Sequence, residues 1–297
     1  MAAVSSVSAR PAARSRRRSS SVSAVSWGLL RWGTIALALL AVLVPFFWLV
    51  STSFKREVDY LADPPRFLVE NWTLAGYETL FSRNDLGHFF LNSVVVTLAS
   101  TALAVTLGSL AAYTLARARL PFKLNGALAF WMLLTRMYPA IATAIPYFLI
   151  IRDLQLLDTR WALIVTYTAF NLPFVVWLMI GFFEEVPAEL ERAAMIDGCG
   201  AWQRFTRIVL PISGPALVAT AILSAILAWN EFLFAVMLTR TEAKTLPVVM
   251  AGFITDKGML WDQMTALGVV TVLPVLLFAL AVQRYLVRGL TLGAVKE

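Results

Sequence analysis

Long apolar runs constrain this chain more than any other feature of its sequence. A helix needs about 20 apolar residues to cross the hydrocarbon core of a bilayer, and six segments are long enough to do so. The sequence therefore predicts an all-α membrane protein with six transmembrane helices. The predicted spans are residues 27–52, 89–115, 124–151, 161–183, 215–238 and 266–285.

Composition supports a membrane protein and argues against a soluble domain. Of the 297 residues, 59% are hydrophobic and 14% are charged, whereas a typical soluble domain has about 25% charged residues. The net charge of +7 arises largely from basic residues that flank the apolar runs, and such residues set the orientation of membrane helices. We therefore expect contact with membrane lipid and no nucleic-acid partner.

The ends of the chain indicate its orientation. Residues 1–26 are rich in Ser, Ala and Arg and have no apolar periodicity, so we expect a disordered cytoplasmic tail followed by one transmembrane domain over residues 27–297. More Lys and Arg residues fall on this tail and on the loops of the same side than on the other loops. The positive-inside rule then places both termini and the loop of residues 184–214 in the cytoplasm.

Residue types argue against a metal site and against catalysis. The chain has one cysteine, Cys199, and one histidine, His88, which excludes most metal sites built from Cys and His. A nucleophile–base–acid set is not visible either, so we predict that the chain is not an enzyme.

The polar loop of residues 184–214 differs from the other connections. Pro187 stands where a helix can start, with acidic residues in the first turn. Gly198 is a natural helix stop, and a second short helix over residues 202–210 would lead to Pro211. Two short helices at a bend, with one apolar side, suit docking into a groove on another protein.

This loop resembles the EAA motif of binding-protein-dependent ABC importer permeases. Ala193-Ala194-x3-Gly198 has the spacing of the motif, and Ile208-x-Leu210-Pro211 follows it. Arg192 stands where that family has a glutamate, and Glu191 precedes it. Further resemblance, to the carbohydrate branch and its maltose-type smaller permease, lies in residues 51–55, 92–93, 171–173, 229–232 and 289–296.

The resemblance implies a type I ABC importer permease fold in the bacterial inner membrane. The implied function is translocation of a carbohydrate (a di- or oligosaccharide, a polyol or a sugar phosphate) that an external binding protein delivers. The implied partners are a second permease subunit and two copies of a cytoplasmic ATPase. The implied coupling residues are Glu189, Glu191, Arg192, Ala193, Ala194, Asp197, Gly198, Ile208, Leu210 and Pro211.

We expect no cofactor in this chain. It lacks the Gly-x4-Gly-Lys-Ser/Thr loop that cradles nucleotide phosphates. ATP and Mg²⁺ would therefore be bound by the partner ATPase.

Polar and aromatic residues inside the predicted spans are candidates for the substrate pathway. Arg136 lies near the middle of the third span, where ionisable groups are costly. It either contacts substrate or a gate, or it pairs with a residue such as Glu231 or snorkels towards the interface. Asn171, Asn230 and Trp177 either line the pathway or support helix packing. The candidates are Arg136, Tyr138, Asn171, Trp177, Asn230 and Glu231.

An ion-coupled secondary transporter is the alternative function. Such proteins use intramembrane acids for ion coupling and often contain internal repeats. Here Glu231 is the acid that lies clearly inside a span, and the sequence has no visible repeat.

Overall fold

The computed structural model describes residues 20–64, 66–83, 85–118, 121–256 and 258–293. This part of the chain is almost entirely helical, with one pair of two-residue antiparallel strands. The helices are α1 (Ser20–Ser53), α2 (Glu57–Tyr60), α3 (Ala75–Arg83), α4 (Leu86–Arg117), α5 (Leu124–Met137), α6 (Ala140–Asp153), α7 (Arg160–Glu185), α8 (Ala188–Ile196), α9 (Ala201–Arg204), α10 (Leu210–Ile212), α11 (Gly214–Trp229), α12 (Leu233–Leu238), α13 (Leu246–Ala251) and α14 (Trp261–Gly293), and the strands are β1 (Ile254–Thr255) and β2 (Gly258–Met259).

Four of the described helices are long and apolar enough to cross a membrane, namely α1, α4, α7 and α14. Two bent pairs of helices raise this number to six: α5 with α6, and the helix Ala201–Ile212 with α11. The predicted all-α architecture is confirmed, and the predicted six spans agree with the larger count. The short strand pair is an addition that the hydropathy pattern did not predict.

The first helix is longer than the predicted first span. α1 begins at Ser20, inside the range 1–26 that we expected to be disordered. The rest of that predicted tail, residues 1–19, lies outside the described residues. Up to Leu49, α1 forms a unit of its own, and its large apolar side chains from Trp27 to Phe47 are exposed. A helix that is apolar on all sides suits a lipid environment.

The second unit begins at Val50 and is centred on the pair α4 and α7. Gly108 lets these helices approach closely, because a Cβ atom at that position would lie 2.6 Å from Cγ1 of Val175. Ala104 and Ala112, one turn away on either side, are buried at 0% exposure. Small residues at such interfaces allow membrane helices to pack through van der Waals contact. α5 and α11 pack against this central pair, and α14 packs against α11.

The third predicted span is bent rather than continuous. α5 ends at Met137, α6 begins at Ala140, and the two helices are inclined by 94°. Pro139 lacks an N–H and disfavours helical backbone at the residue before it. The predicted span of residues 124–151 is therefore a bent pair of helices, and Arg136 lies beside the bend.

The fifth predicted span is interrupted as well. α11 ends at Trp229 and α12 begins at Leu233. Between them, the Glu231 carboxylate accepts hydrogen bonds from the backbone N–H groups of Phe234 (2.8 Å) and Ala235 (3.1 Å). A side chain in this position satisfies N–H groups that have no partner within the first turn of a helix. The expected helix over residues 215–238 is thus two helices.

Loops that were predicted on the same side of the membrane lie together. At one end of the second unit, Asp158 accepts hydrogen bonds from the backbone N–H groups of residues 240–243. At the other end, Arg117 of α4 donates a hydrogen bond to the carbonyl oxygen of Val186, after α7. Both groupings agree with spans that cross the membrane in alternating directions.

Candidate functional site

The first helix of the candidate docking loop has local signals at both ends. Pro187 precedes α8, and Glu189 and Glu191 lie in its first turn, where carboxylates stabilise a helix through its dipole. α8 ends at Ile196, and Gly198 has a φ angle of +82°. A residue with a Cβ atom is strained in that conformation, so the glycine makes the turn possible.

The second helix of the loop runs from Ala201 to Ile212. Its start is capped by Gln203, whose Oε1 atom accepts a hydrogen bond from the N–H group of Gly200 at 3.0 Å. One π-helical turn, Phe205–Val209, lies between α9 and α10. Phe205 and Val209 are buried in this turn, so the turn directs its apolar residues into the molecule. The loop thus has the two helices that the sequence predicted.

α8 has one buried and one exposed side. Glu191 and Ala194 are buried, whereas Glu189 and Arg192 are exposed and form an ion pair with 3.4 Å between Oε1 and Nη2. Large apolar side chains are exposed on α8 and α9, and we call these four the apolar docking face: Leu190, Met195, Ile196 and Trp202.

Glu191 contacts two residues that the sequence did not single out. The Nε atom of Arg117 donates to Oε1 of Glu191 at 2.5 Å, and the Tyr113 hydroxyl donates to Oε2 at 2.7 Å. Tyr113 and Arg117 are four residues apart at the end of α4, so they lie on one helix face. An aromatic and a basic residue at the end of a span are usual interface anchors. Their position at the end of α4 was the sequence signal by which Tyr113 and Arg117 could have been found.

The other predicted coupling residues differ in accessibility. Some are exposed on the loop and others lie partly inside it, against the membrane helices. The exposed ones are Ala193, Asp197, Gly198 and Pro211, and the half-buried ones are Ile208 and Leu210. Only part of the motif is therefore accessible to a partner protein.

Arg136 contacts the neighbouring helix α7. Its Nη1 atom donates to the carbonyl oxygen of Phe170 at 3.2 Å, and its guanidinium lies 4.7 Å from the ring centroid of Phe170 and 5.6 Å from that of Phe174. Cation–π contacts of this kind stabilise a charge away from water. Within the described part of the chain, no ion pair joins Arg136 to Glu231, so the pairing considered above is absent.

The other pathway candidates have different environments. Both carboxylate oxygens of Glu231 are engaged with α12, and Asn230 donates to the carbonyl oxygen of Ile226 at 2.8 Å. Asn171 is buried, and its Oδ1 atom has no hydrogen-bond partner among the described residues. Tyr138, at the bend between α5 and α6, and Trp177 are exposed at 58% and 49%. Tyr138, Trp177 and Asn230 are therefore the exposed residues among the six.

The described residues contain no group of three or more His, Cys, Asp or Glu side chains that could hold a metal ion. The loop presents large apolar side chains to its surface beside charged ones, and this arrangement suits contact between proteins.

Comparison with known proteins identifies relatives along most of the chain. A probable ABC transporter permease of Sinorhizobium fredii is 43% identical over 254 residues, which are 86% of this chain and 90% of that protein. A trehalose/maltose transport system permease of Thermococcus litoralis is 36% identical over 274 residues, 90% of this chain and 96% of that protein.

A solved structure has the same fold. It is a bacterial ABC transporter involved in the import of the acidic polysaccharide alginate, and the alignment covers 89% of this chain and 98% of that chain. The TM-score is 0.74 at 24% sequence identity, so the likeness concerns the fold. This agrees with the type I permease fold that the sequence predicted.

The family match covers the docking loop and the membrane helices from the second half of α4 onwards. The family described as the binding-protein-dependent transport system inner membrane component matches residues 104–292, which include α8, Gly198 and the helix Ala201–Ile212. This chain therefore belongs to the family of binding-protein-dependent transport system inner membrane components.

Proposed function

We propose that this chain is the permease subunit of an ATP-driven importer that translocates a carbohydrate. Its external binding protein delivers the substrate, a second permease subunit completes the pathway, and two copies of a cytoplasmic ATPase supply the energy. The name of the Thermococcus litoralis relative, a trehalose/maltose permease, supports the carbohydrate class. Di- and oligosaccharides, polyols and sugar phosphates all fall within the proposal.

The apolar docking face carries the proposal of an ATPase partner. Ile196 is 88% exposed and Trp202 is 64% exposed, although each is a large apolar side chain. Large exposed apolar side chains on neighbouring helices of one loop, here α8 and α9, suit a site that binds another protein. Arg192 and Glu189, which lie exposed on the same helix, would meet charged groups at the edge of that contact.

ATP and Mg²⁺ belong to the ATPase in this proposal, and the chain itself is not catalytic. The sequence lacks the phosphate-binding Gly-x4-Gly-Lys-Ser/Thr loop. ATP favours one conformation of the importer only if it changes the contacts made in that conformation. The loop of residues 184–214 is the part of this chain that would transmit those contacts to the spans, because it joins α7 directly to α11.

The substrate pathway is proposed to pass the bend between α5 and α6. The exposed phenol of Tyr138 and the exposed indole of Trp177 are side chains with the polar and stacking surfaces that suit a sugar. Arg136 and Asn171 are further candidates, whereas Asn230 and Glu231 support the start of α12 and its preceding turn.

Replacement of Ile196 with aspartate tests the docking face. Burying an isoleucine side chain at an interface contributes about 1.5–3 kcal/mol, so Ile196→Asp should weaken ATPase binding by roughly tenfold to a hundredfold. The measurement is copurification of the ATPase with the full complex in detergent. Leu61→Asp is the matched control, because Leu61 is also exposed, at 64%, and follows α2 in another part of the chain. Equal copurification of wild type and Ile196→Asp would reject the docking face.

Uptake assays test the energy source and the substrate class. In cells that express the complete importer, uptake of radiolabelled trehalose, maltose, a polyol and a sugar phosphate is measured after ATP depletion and after collapse of the proton gradient. The proposal requires that uptake of at least one of them stops on ATP depletion. Uptake that survives ATP depletion but stops with the proton gradient would support the ion-coupled alternative, and uptake of none would reject the carbohydrate class.

A further inference from the structure

Glu191 is buried although its neighbours in α8 are exposed. The residue is 7% exposed, whereas Leu190 is 44% exposed and the side chains of Glu189 and Arg192 are 72% and 70% exposed. Carboxylates are almost never buried unless they are paired. Glu191 therefore points away from the surface that a docking partner would cover.

Two charge-assisted hydrogen bonds hold the Glu191 carboxylate. Arg117 donates to Oε1 at 2.5 Å and the Tyr113 hydroxyl donates to Oε2 at 2.7 Å. Arg117 also donates from Nη2 to the carbonyl oxygen of Val186 at 2.8 Å. The guanidinium thus binds the residue that follows α7 and a residue of α8 at the same time, and hydrogen bonds to charged groups are the stronger ones in proteins.

The ring of Tyr113 extends the connection to the second helix of the loop. It lies 4.9 Å from the ring of Phe205 and 6.2 Å from that of Phe183, measured between centroids. Phe205 is 5% exposed and Phe183 is 0% exposed, so these contacts belong to the core. One side chain of α4 therefore contacts both helices of the loop and the end of α7.

These contacts converge on the central helix pair of the second unit. Tyr113 and Arg117 lie in the last turns of α4, and α4 packs against α7 along its length, with Gly108 at the close approach. A force applied to α8 would reach α4 through the Glu191 side chain.

We propose that Glu191, Arg117 and Tyr113 form a latch that makes α8 move with α4 and α7 as one body. Glu191 is then a positioning residue that transmits motion, and the ATPase contacts the exposed side of α8 instead. This inference rests on the proposed function of the loop in ATPase coupling.

Distance measurements between two spin labels test the latch in the assembled complex. The labels are placed at Ala188→Cys, the first residue of α8 and outside the docking face, and at Leu98→Cys, an exposed position of α4, with Cys199→Ser to remove the native thiol. Leu98 lies roughly 29 Å from Arg117 along the helix, a suitable range for pulsed electron spin resonance. Each complex is measured without nucleotide and with ATP trapped on the ATPase.

The latch predicts one narrow distance distribution in both states of the otherwise wild-type chain. Glu191→Gln should lower the ratio of latched to unlatched chains by roughly tenfold to a hundredfold, which appears as a broad or second distribution. Tyr113→Phe, which keeps the ring contacts, should broaden the distribution to a smaller degree. Glu185→Gln is the matched control, because this exposed carboxylate at the end of α7 lies outside the latch, and its distribution should remain narrow.

Two results would overturn the latch. They are a distance that changes between the two states in the otherwise wild-type chain, or narrow distributions in both Glu191→Gln and Tyr113→Phe. If Glu191→Gln does not assemble with the ATPase, the Tyr113→Phe measurement decides. A failure of the wild-type chain to copurify with any ATPase would instead reject the proposed function.

Discussion

Replacement of Gly108 with alanine adds one methyl group where α4 contacts α7. The new Cβ atom would lie 2.6 Å from Cγ1 and 3.0 Å from Cβ of Val175. Carbon atoms attract one another at about 3.5–4.0 Å, so the helices must separate by roughly 1 Å or Val175 must leave its rotamer. Valine in a helix has one strongly preferred χ1 rotamer, which makes the second route unfavourable.

The expected loss of stability follows from two opposing effects. Overpacking of this kind costs about 1–3 kcal/mol, whereas alanine is favoured over glycine inside a helix by about 1 kcal/mol. Gly108→Ala should therefore lower the free energy of unfolding by up to about 2 kcal/mol. Gly181→Ala in α7 is the matched control, because no atom lies within 4 Å of its Cβ position, and it should gain up to about 1 kcal/mol.

Thermal unfolding of the two variants, followed by tryptophan fluorescence in nanodiscs, compares these effects. For a chain of this size, 1 kcal/mol corresponds to about 2–4 °C in Tm. Gly108→Ala should therefore unfold below the wild type and Gly181→Ala at or above it. A Tm for Gly108→Ala that equals or exceeds that of Gly181→Ala would refute the close α4–α7 contact.

Two further substitutions test the loop held by Asp158 and the bend near Arg136. Partial burial by itself would raise the pKa of Asp158, but the N–H groups of residues 240–243 hold that pKa well below its usual range. The ionised form therefore stabilises the loop at all pH values above about 4 and loses this effect as the pH falls further. At pH 7, Asp158→Asn should lower the free energy of unfolding by about 1–3 kcal/mol and speed tryptic cleavage after Arg240. Equal cleavage rates of the variant and the wild type would contradict this. Arg136→Ala removes contacts worth about 0.5–2 kcal/mol. It should reduce substrate uptake, whereas copurification of the ATPase should stay normal. Substrate uptake with unchanged affinity would exclude Arg136 from the pathway.

The helices of the docking loop were predictable because their signals are local. Pro187 and the acidic first turn favour the start of α8, and Gly198 permits the positive φ angle that ends it. These preferences act within a few residues of chain and need no information about neighbouring helices. The same holds for the spans, since backbone polar groups in lipid must be satisfied within the helix.

The bends were only partly visible in the sequence. Pro139 marked a place where a helix is weakened, but proline is tolerated in membrane helices when neighbours satisfy the freed groups. Whether the chain continues straight or turns by 94° depends on the packing of α5 and α6 against other helices. The break after Trp229 had no proline, and it depends on Glu231, which caps α12.

The sequence by itself determined the membrane class, the approximate spans and the helix–turn–helix form of the docking loop, because these depend on hydropathy and local backbone preference. Only the tertiary structure decided which side of α8 is accessible. Glu191 and Arg192 are adjacent acidic and basic residues that the sequence presents as equal candidates for an ATPase contact. Arg117, 74 residues earlier in the chain, pairs with Glu191 and leaves Arg192 exposed, and such a contact between distant segments arises only when the helices pack.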